Sequence, residues 1–334
     1  MNLKTQMEKV IHSSYSNIGG LVVLKRGETV YEKYFNGCTA ADTFHVFSVT
    51  KSILSILIGM AIDQGYMKSI DQKVLDFFPE YSVKRGEQTI QKITLRDLLT
   101  MTAPYKYKSE PYTAFFSSDD WVKASLDLLG GQGRIGEFRY TPVIGPDIFS
   151  GILIKATGQA VLDYATEYLF EPLGISVGGN ILFRNKEEQL AFYEAKNIKG
   201  WVADPKGVNT AGWGLNLTPV DMARIGQLYL DQGRWKGKQL ISSAWIKDST
   251  REHSRWGKLA YGYLWWIMDE DEHSYAAIGD GGNVIYVNSK KEIVISIASH
   301  FIKNAKDRIK LIKEYIEPVF ENYVSGVPDT LEKT

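Results

Sequence analysis

The sequence has one cysteine, Cys38, so no intrachain disulfide can form. Its neighbours, Gly37 and Thr39, offer nothing that would stabilise a thiolate, which marks it as a structural residue rather than a nucleophile. Histidine is also scarce. His12, His45, His253, His273 and His300 are scattered, and no pair has a metal-ligand spacing such as HxH or HExxH. A metal site is not expected. Neither sign of charge is in excess, with 39 Lys+Arg against 39 Asp+Glu. That balance gives no electrostatic case for nucleic acid or an anionic membrane as a partner. Long apolar runs are missing too. The longest stretch, Ile53 to Ile62, is broken by Ser55 and Gly59 and falls short of the roughly 20 residues that span a bilayer. The N-terminal "MNLKTQMEKVIHSSYSNIGG" lacks the apolar core of a signal peptide. The expectation is a soluble, cytoplasmic protein.

What is present suits a large folded core. The chain has 334 residues, 44% of them hydrophobic, enough for one large domain or two intimate ones. No internal repeat interrupts it. Strand signals lie at both ends. "LVVLK", a turn at Arg26-Gly27-Glu28 and "TVYEKYF" read as a β-hairpin. "VIYVN", a turn at Ser289-Lys290-Lys291 and "EIVISIAS" read as another. A closing segment has apolar residues at helical spacing, Ile309, Ile312, Tyr315, Ile316 and Val319.

The middle reads as helical. Thr94 with Asp97, and Thr218 with Pro219 and Asp221, are capping-box starts. Two further helical runs are split at Thr157-Gly158. The expected fold is α+β. Residues 1–70 and 235–334 would form an antiparallel-sheet lobe flanked by helices, and residues 71–234 a mostly helical lobe. A ligand cleft is expected between them.

One stretch carries chemistry. "FSVTKSILSILIGMAIDQG", from Phe47 to Gly65, opens polar and turns apolar for three turns. On a helix Ser48 and Lys51 share a face one turn apart. The residues that follow are apolar nearly all round, so the helix is expected to be enclosed. Burial and the positive end of the helix dipole both favour a neutral lysine amine. Such an amine beside a serine hydroxyl can take its proton and activate it without histidine. The plain alternative is a serine N-cap and a surface lysine. It fits poorly with so apolar a helix, and this is the only Ser-x-x-Lys in the chain.

The wider context resembles a known family, the serine hydrolases related to class C β-lactamases, penicillin-binding DD-peptidases, esterases and 6-aminohexanoate-dimer hydrolases. The resemblance covers most of the chain. It rests on "FSVTKSILSILIGMAIDQGYMKSIDQKVLDFFPEY", "ITLRDLLTMTA", "FRYTPVIGPDIFSGILIKATGQ", "AGWGLNLTPVDMARIGQLYLDQGRWKGKQLIS" and "YGYLWWI" followed by "AIGDGGNVIYV". It implies the β-lactamase/transpeptidase-like fold and an acyl-enzyme mechanism without cofactor or metal. Ser48 would be the nucleophile, Lys51 its proton acceptor and Tyr140 a further acid-base group.

The other two motifs depart from the family. Tyr140-Thr141-Pro142 stands where the family has Tyr-x-Asn or Tyr-x-Ser, and proline offers no side-chain polar group. Asp280-Gly281-Gly282 stands where the family has Lys-Thr-Gly or His-x-Gly, and the resemblance implies that the N–H of Asn283 joins that of Ser48 as an oxyanion donor. A carboxylate at Asp280 would repel a carboxylate-bearing substrate such as a β-lactam. A small neutral or cationic amide or ester is therefore the expected partner. Tyr105, Tyr112 and Trp213 are candidates for the cleft wall, and His45 for a packing role. The altered motifs also admit a catalytically weak binding or sensing protein, or a DD-peptidase or β-lactamase, on the same fold. Nothing in the sequence sets an oligomeric state.

Overall fold

A computed structural model describes residues 2–321 and 323. Both ends of the chain meet in one eight-stranded antiparallel sheet. Its strands are β1 (Ile18–Lys25), β2 (Glu28–Tyr34), β3 (Ser254–Trp256), β4 (Leu259–Tyr261), β5 (Trp266–Asp269), β6 (Ser274–Gly279), β7 (Asn283–Asn288) and β8 (Ile293–Ser299). In space the order is β2-β1-β8-β7-β6-β5-β4-β3. The first hairpin of the chain therefore pairs with the last one, with Leu21 opposite Ile297 and Val23 opposite Ile295. Both hairpins expected from the sequence are present.

The central strands are apolar at consecutive positions because helices cover both faces of the sheet. Leu21, Val23, Ile295 and Tyr286 face an outer layer made by α1 (Leu3–Ser14) and a helical run over 308–320. Val22, Leu24, Val294 and Ile285 face the larger inner core. That core holds α2 (Val49–Asp63), α3 (Asp147–Thr157) and α5 (Pro219–Leu230), while α4 (Lys186–Glu194) lies nearer the surface.

Helix α5 corrects the expected lobe boundary. It falls within residues 71–234 yet packs on the sheet, where Gly226 comes against Val294 and Ile285. The Ser296 hydroxyl also donates to the Pro219 carbonyl at 2.7 Å. The capping boxes at Thr94 and Thr218 are formed as expected. No helix among the described residues is long and apolar enough to cross a membrane.

Helix α2 is enclosed over almost its whole length. Every residue from Val49 to Ala61 is buried, which is why its sequence carries no polar face. Leu57 is fully buried in this core. Leu57→Ala is expected to cost about 2–5 kcal/mol, read as a lower urea midpoint at unchanged slope.

Candidate active site

Ser48 sits at the N-terminus of α2, placed there by a sharp turn. Phe44 and His45 pair with Leu217 and Asn216, and the Val46 N–H donates to the Leu215 carbonyl at 2.9 Å. The chain then reverses at Phe47, whose φ of 49° is left-handed and unusual for an aromatic residue. Such a conformation costs about 1–3 kcal/mol and persists only where the surroundings enforce it. Here they do: the Phe47 ring stacks on His45 at 3.8 Å and on Tyr193 at 6.0 Å, and its carbonyl accepts from the Thr50 hydroxyl at 2.7 Å.

Lys51 is 1% exposed. Its Nζ lies 2.8 Å from Ser48 Oγ, so the one-turn spacing does bring the pair together. Two further contacts go to main-chain carbonyls, Pro142 O at 2.7 Å and Gly212 O at 2.9 Å. A carbonyl can only accept, so two N–H bonds of Nζ are committed. The remaining direction of the amine faces Ser48 Oγ. The third position of the second motif, which lacks a polar side chain, thus contacts the lysine through the main chain of Pro142.

The residues that hold these carbonyls carry no motif. Glu110, largely buried, accepts from the N–H groups of Val143 at 3.3 Å and Ile144 at 3.1 Å, just beyond Pro142. Asp147, fully enclosed at the start of α3, accepts from the Ala211 N–H at 2.7 Å. His45 Nε2 accepts from the Gly214 N–H at 2.9 Å, which places the imidazole proton on Nδ1. The 211–214 loop is thus gripped on both sides of Gly212. Burial pushes the Asp147 carboxyl up to about 7, and burial pushes the His45 imidazole down to about 3. A carboxylate opening an apolar helix, as in Asp147-Ile148-Phe149, is the signal by which sequence reading would find Asp147; a carbonyl contact leaves no such signal.

The third motif region is displaced from its expected register. Gly279, at the end of β6, is the glycine that abuts the serine. A Cβ there would collide with the Val46 carbonyl and come within 3.2 Å of Ser48 N. Gly281 and Gly282 instead face Phe301 and Arg308, away from Ser48. Asn283 is fully buried, and its side chain bonds the His45 and Asp280 carbonyls and the Ser299 N–H. It lies outside the cleft, which corrects its expected place beside the substrate. Asp280 follows Gly279 directly, is exposed, and lines the cleft. The residue two before Gly279 is Ala277, buried and uncharged.

A cleft of about 1020 Å³ opens at Ser48. Tyr112 and Trp213 line it. Tyr105 does not. It is buried, and its ring packs against Gly145. Burial first, then the neighbouring Glu110 carboxylate, pushes the Tyr112 phenol up. Tyr140 stands on another side of Lys51. Nζ is 5.2 Å from its ring centroid, the ring rests on Trp266 at 5.7 Å, and no hydrogen bond joins its hydroxyl to Ser48 or Lys51. Cys38 lies away from the cleft with its Sγ 3.4 Å from His300 Nε2, and burial pushes its thiol up.

The family model for β-lactamases matches residues 7–316. The chain belongs to the β-lactamase family. It is accordingly a serine hydrolase of the β-lactamase/transpeptidase-like fold. It is 23% identical over 297 residues to a 6-aminohexanoate-dimer hydrolase of Paenarthrobacter ureafaciens, covering 82% of this chain and 70% of that one. A penicillin-binding protein homologue from Caulobacter crescentus superposes with a TM-score of 0.70 at 18% identity, covering 92% of this chain and 94% of that one. A family VIII carboxylesterase superposes with a TM-score of 0.69 at 15% identity, covering 94% and 97%. Ser-x-x-Lys at the mouth of a buried helix is the part of the family pattern kept intact here.

Asp147 has a test of its own. Its folded-state value of about 7 lies above the ordinary 3.8, so the folded protein holds the proton more tightly and loses stability as pH rises from about 4 to 7. Asp147→Asn removes that loss. The melting temperature of the variant relative to the parent is expected to be more favourable at pH 8 than at pH 4.5.

Proposed function

We propose that the chain hydrolyses an ester or amide through an acyl-enzyme at Ser48. Ser48 Oγ attacks the substrate carbonyl while its proton passes to the Lys51 amine. The oxyanion is held by the N–H groups of Ser48 and Asp280. Neither has a hydrogen bond among the described residues, and Gly279 brings the two segments together. Collapse breaks the bond to the leaving group, which takes the proton from Lys51 on the side flanked by Tyr140. Water then attacks the acyl-serine, giving the acid and restoring the serine hydroxyl. The observation that carries the reading is the commitment of Lys51 to two carbonyls, which leaves its third direction for Ser48 Oγ.

The substrate we assign is neutral or cationic. Asp280 contributes a carboxylate to the cleft wall next to the oxyanion site, with no cation at Ala277; the cations that line the same cleft, Arg184 and Lys186, belong to a separate segment, where Arg184 pairs with Glu188. A relative named as a 6-aminohexanoate-dimer hydrolase and a neighbour named as a carboxylesterase support the reading as a hydrolase of amides or esters.

A fluorophosphonate probe is expected to add one adduct to the intact mass of the protein and none to Ser48→Ala. An unlabelled parent protein would leave a binding module on a hydrolase fold. Turnover of p-nitrophenyl esters is expected to exceed that of cephalosporins. Asp280→Asn should shift that ratio toward cephalosporins by roughly tenfold, the effect of removing one like charge near the reacting carbonyl. Efficient cephalosporin hydrolysis by the parent protein would overturn the substrate assignment.

A further inference from the structure

Several of the large apolar side chains that the surface leaves in water converge on one place. Leu182 is 53% exposed and Leu190 56%, and both stand at the mouth of the cleft with Tyr112 and Phe301. They come from four separate segments of the chain. Apolar residues scattered singly over a surface need no explanation, but convergence on the rim of one cleft does.

Inside the rim the rings are continuous. Phe301 contacts Phe47 at 5.2 Å, Phe47 stacks on Tyr193 at 6.0 Å, and Tyr193 stacks on Trp213 at 5.7 Å. Trp213 meets Phe116 at 6.0 Å, and Phe116 stacks on Tyr112 at 6.3 Å. This belt passes Phe47, the residue before Ser48, and reaches the rim at Phe301 and at Tyr112. The cleft it lines, about 1020 Å³, is at the upper end of what a drug-sized ligand fills. A small acyl group would leave most of it empty.

We propose that this cleft holds the acyl half of the substrate, and that the acyl group is a long alkyl or arylalkyl chain. It runs from Ser48 along the aromatic belt to Leu182 and Leu190. The inference rests on the acyl-serine reading and deepens it. The assignment to the acyl half follows from the proton. The leaving group must depart toward Lys51 and Tyr140, and neither Tyr140 nor its neighbours Tyr261 and Trp266 line the cleft. The apolar space therefore remains with the group that stays on the serine. It also revises the expectation of a small substrate.

The test is a series of p-nitrophenyl esters from acetate to decanoate, kept below their aggregation limits, with the full chain. The leaving group is constant, so only the acyl chain varies. The value of kcat/KM is expected to rise at least tenfold from acetate to octanoate, with a ceiling of about fourfold per methylene set by the transfer of one CH2 out of water. The double variant Leu182→Ser/Leu190→Ser should lower the octanoate-to-acetate ratio at least fivefold. Because that is a ratio within one preparation, partial misfolding cancels. A flat or falling chain-length profile in a protein that hydrolyses acetate overturns this inference and leaves the acyl-serine reading standing. Should no ester turn over, labelling rates with ethyl- and octyl-fluorophosphonates decide: faster octyl labelling supports the chain-length inference, and equal rates overturn it. No labelling at all overturns both readings.

Discussion

Everything at this site depends on how a buried lysine is held. The Lys51 amine lies in an almost wholly apolar core, where an unmet polar group costs several kcal/mol. Two carbonyls and one hydroxyl meet it. The carbonyls come from points 91 and 161 residues away in sequence, so the lysine fastens two distant segments to the start of α2. Each carbonyl must itself be fixed. Glu110 grips the amides after Pro142, while Asp147 and His45 grip those around Gly212. The groups that aim the lysine are therefore buried polar side chains acting on the backbone. Their own cost of burial is offset only while those hydrogen bonds hold.

The same core explains the serine. Helix α2 is enclosed on all sides, so its N-terminus cannot shift without disturbing the whole inner layer. The left-handed turn at Phe47 is kept by rings packed on both sides, and the missing side chain of Gly279 lets β6 come against it. Sheet, helix and turn converge on two N–H groups that have no hydrogen-bond partner among the described residues. The apolar support and the unpaired donors belong to one arrangement: rigidity around the turn keeps the donors from folding back onto the chain.

Much of this could be read from residue order, and the failures have physical causes. The two hairpins, the capping boxes and the Ser48–Lys51 pair depend on local spacing, which a sequence displays directly. The sheet built from both chain ends followed from their strand patterns. The glycine that touches Ser48 did not. Among Gly279, Gly281 and Gly282, only proximity in space selects Gly279, since any of the three permits close approach. Tyr105 resembled Tyr112 in sequence but is turned inward, a difference set by packing. The contact supplied by the Pro142 carbonyl was unreadable, because every residue has a carbonyl.

The clasp on the 211–214 loop has a consequence for how the site bears changes in pH. Asp147 and His45 are both buried, and both favour the uncharged form, but they titrate in opposite senses. Over the interval from about 3.8 to 6.5 the folded protein holds a proton on Asp147 that the unfolded chain releases, so stability falls as pH rises. Over the same interval the unfolded chain holds a proton on His45 that the folded protein refuses, so stability rises with pH. The two slopes oppose each other where they overlap. Within the folded protein neither group changes charge over this interval, Asp147 staying protonated below about 7 and His45 neutral above about 3, so the hydrogen bonds on both sides of Gly212 keep their form across it.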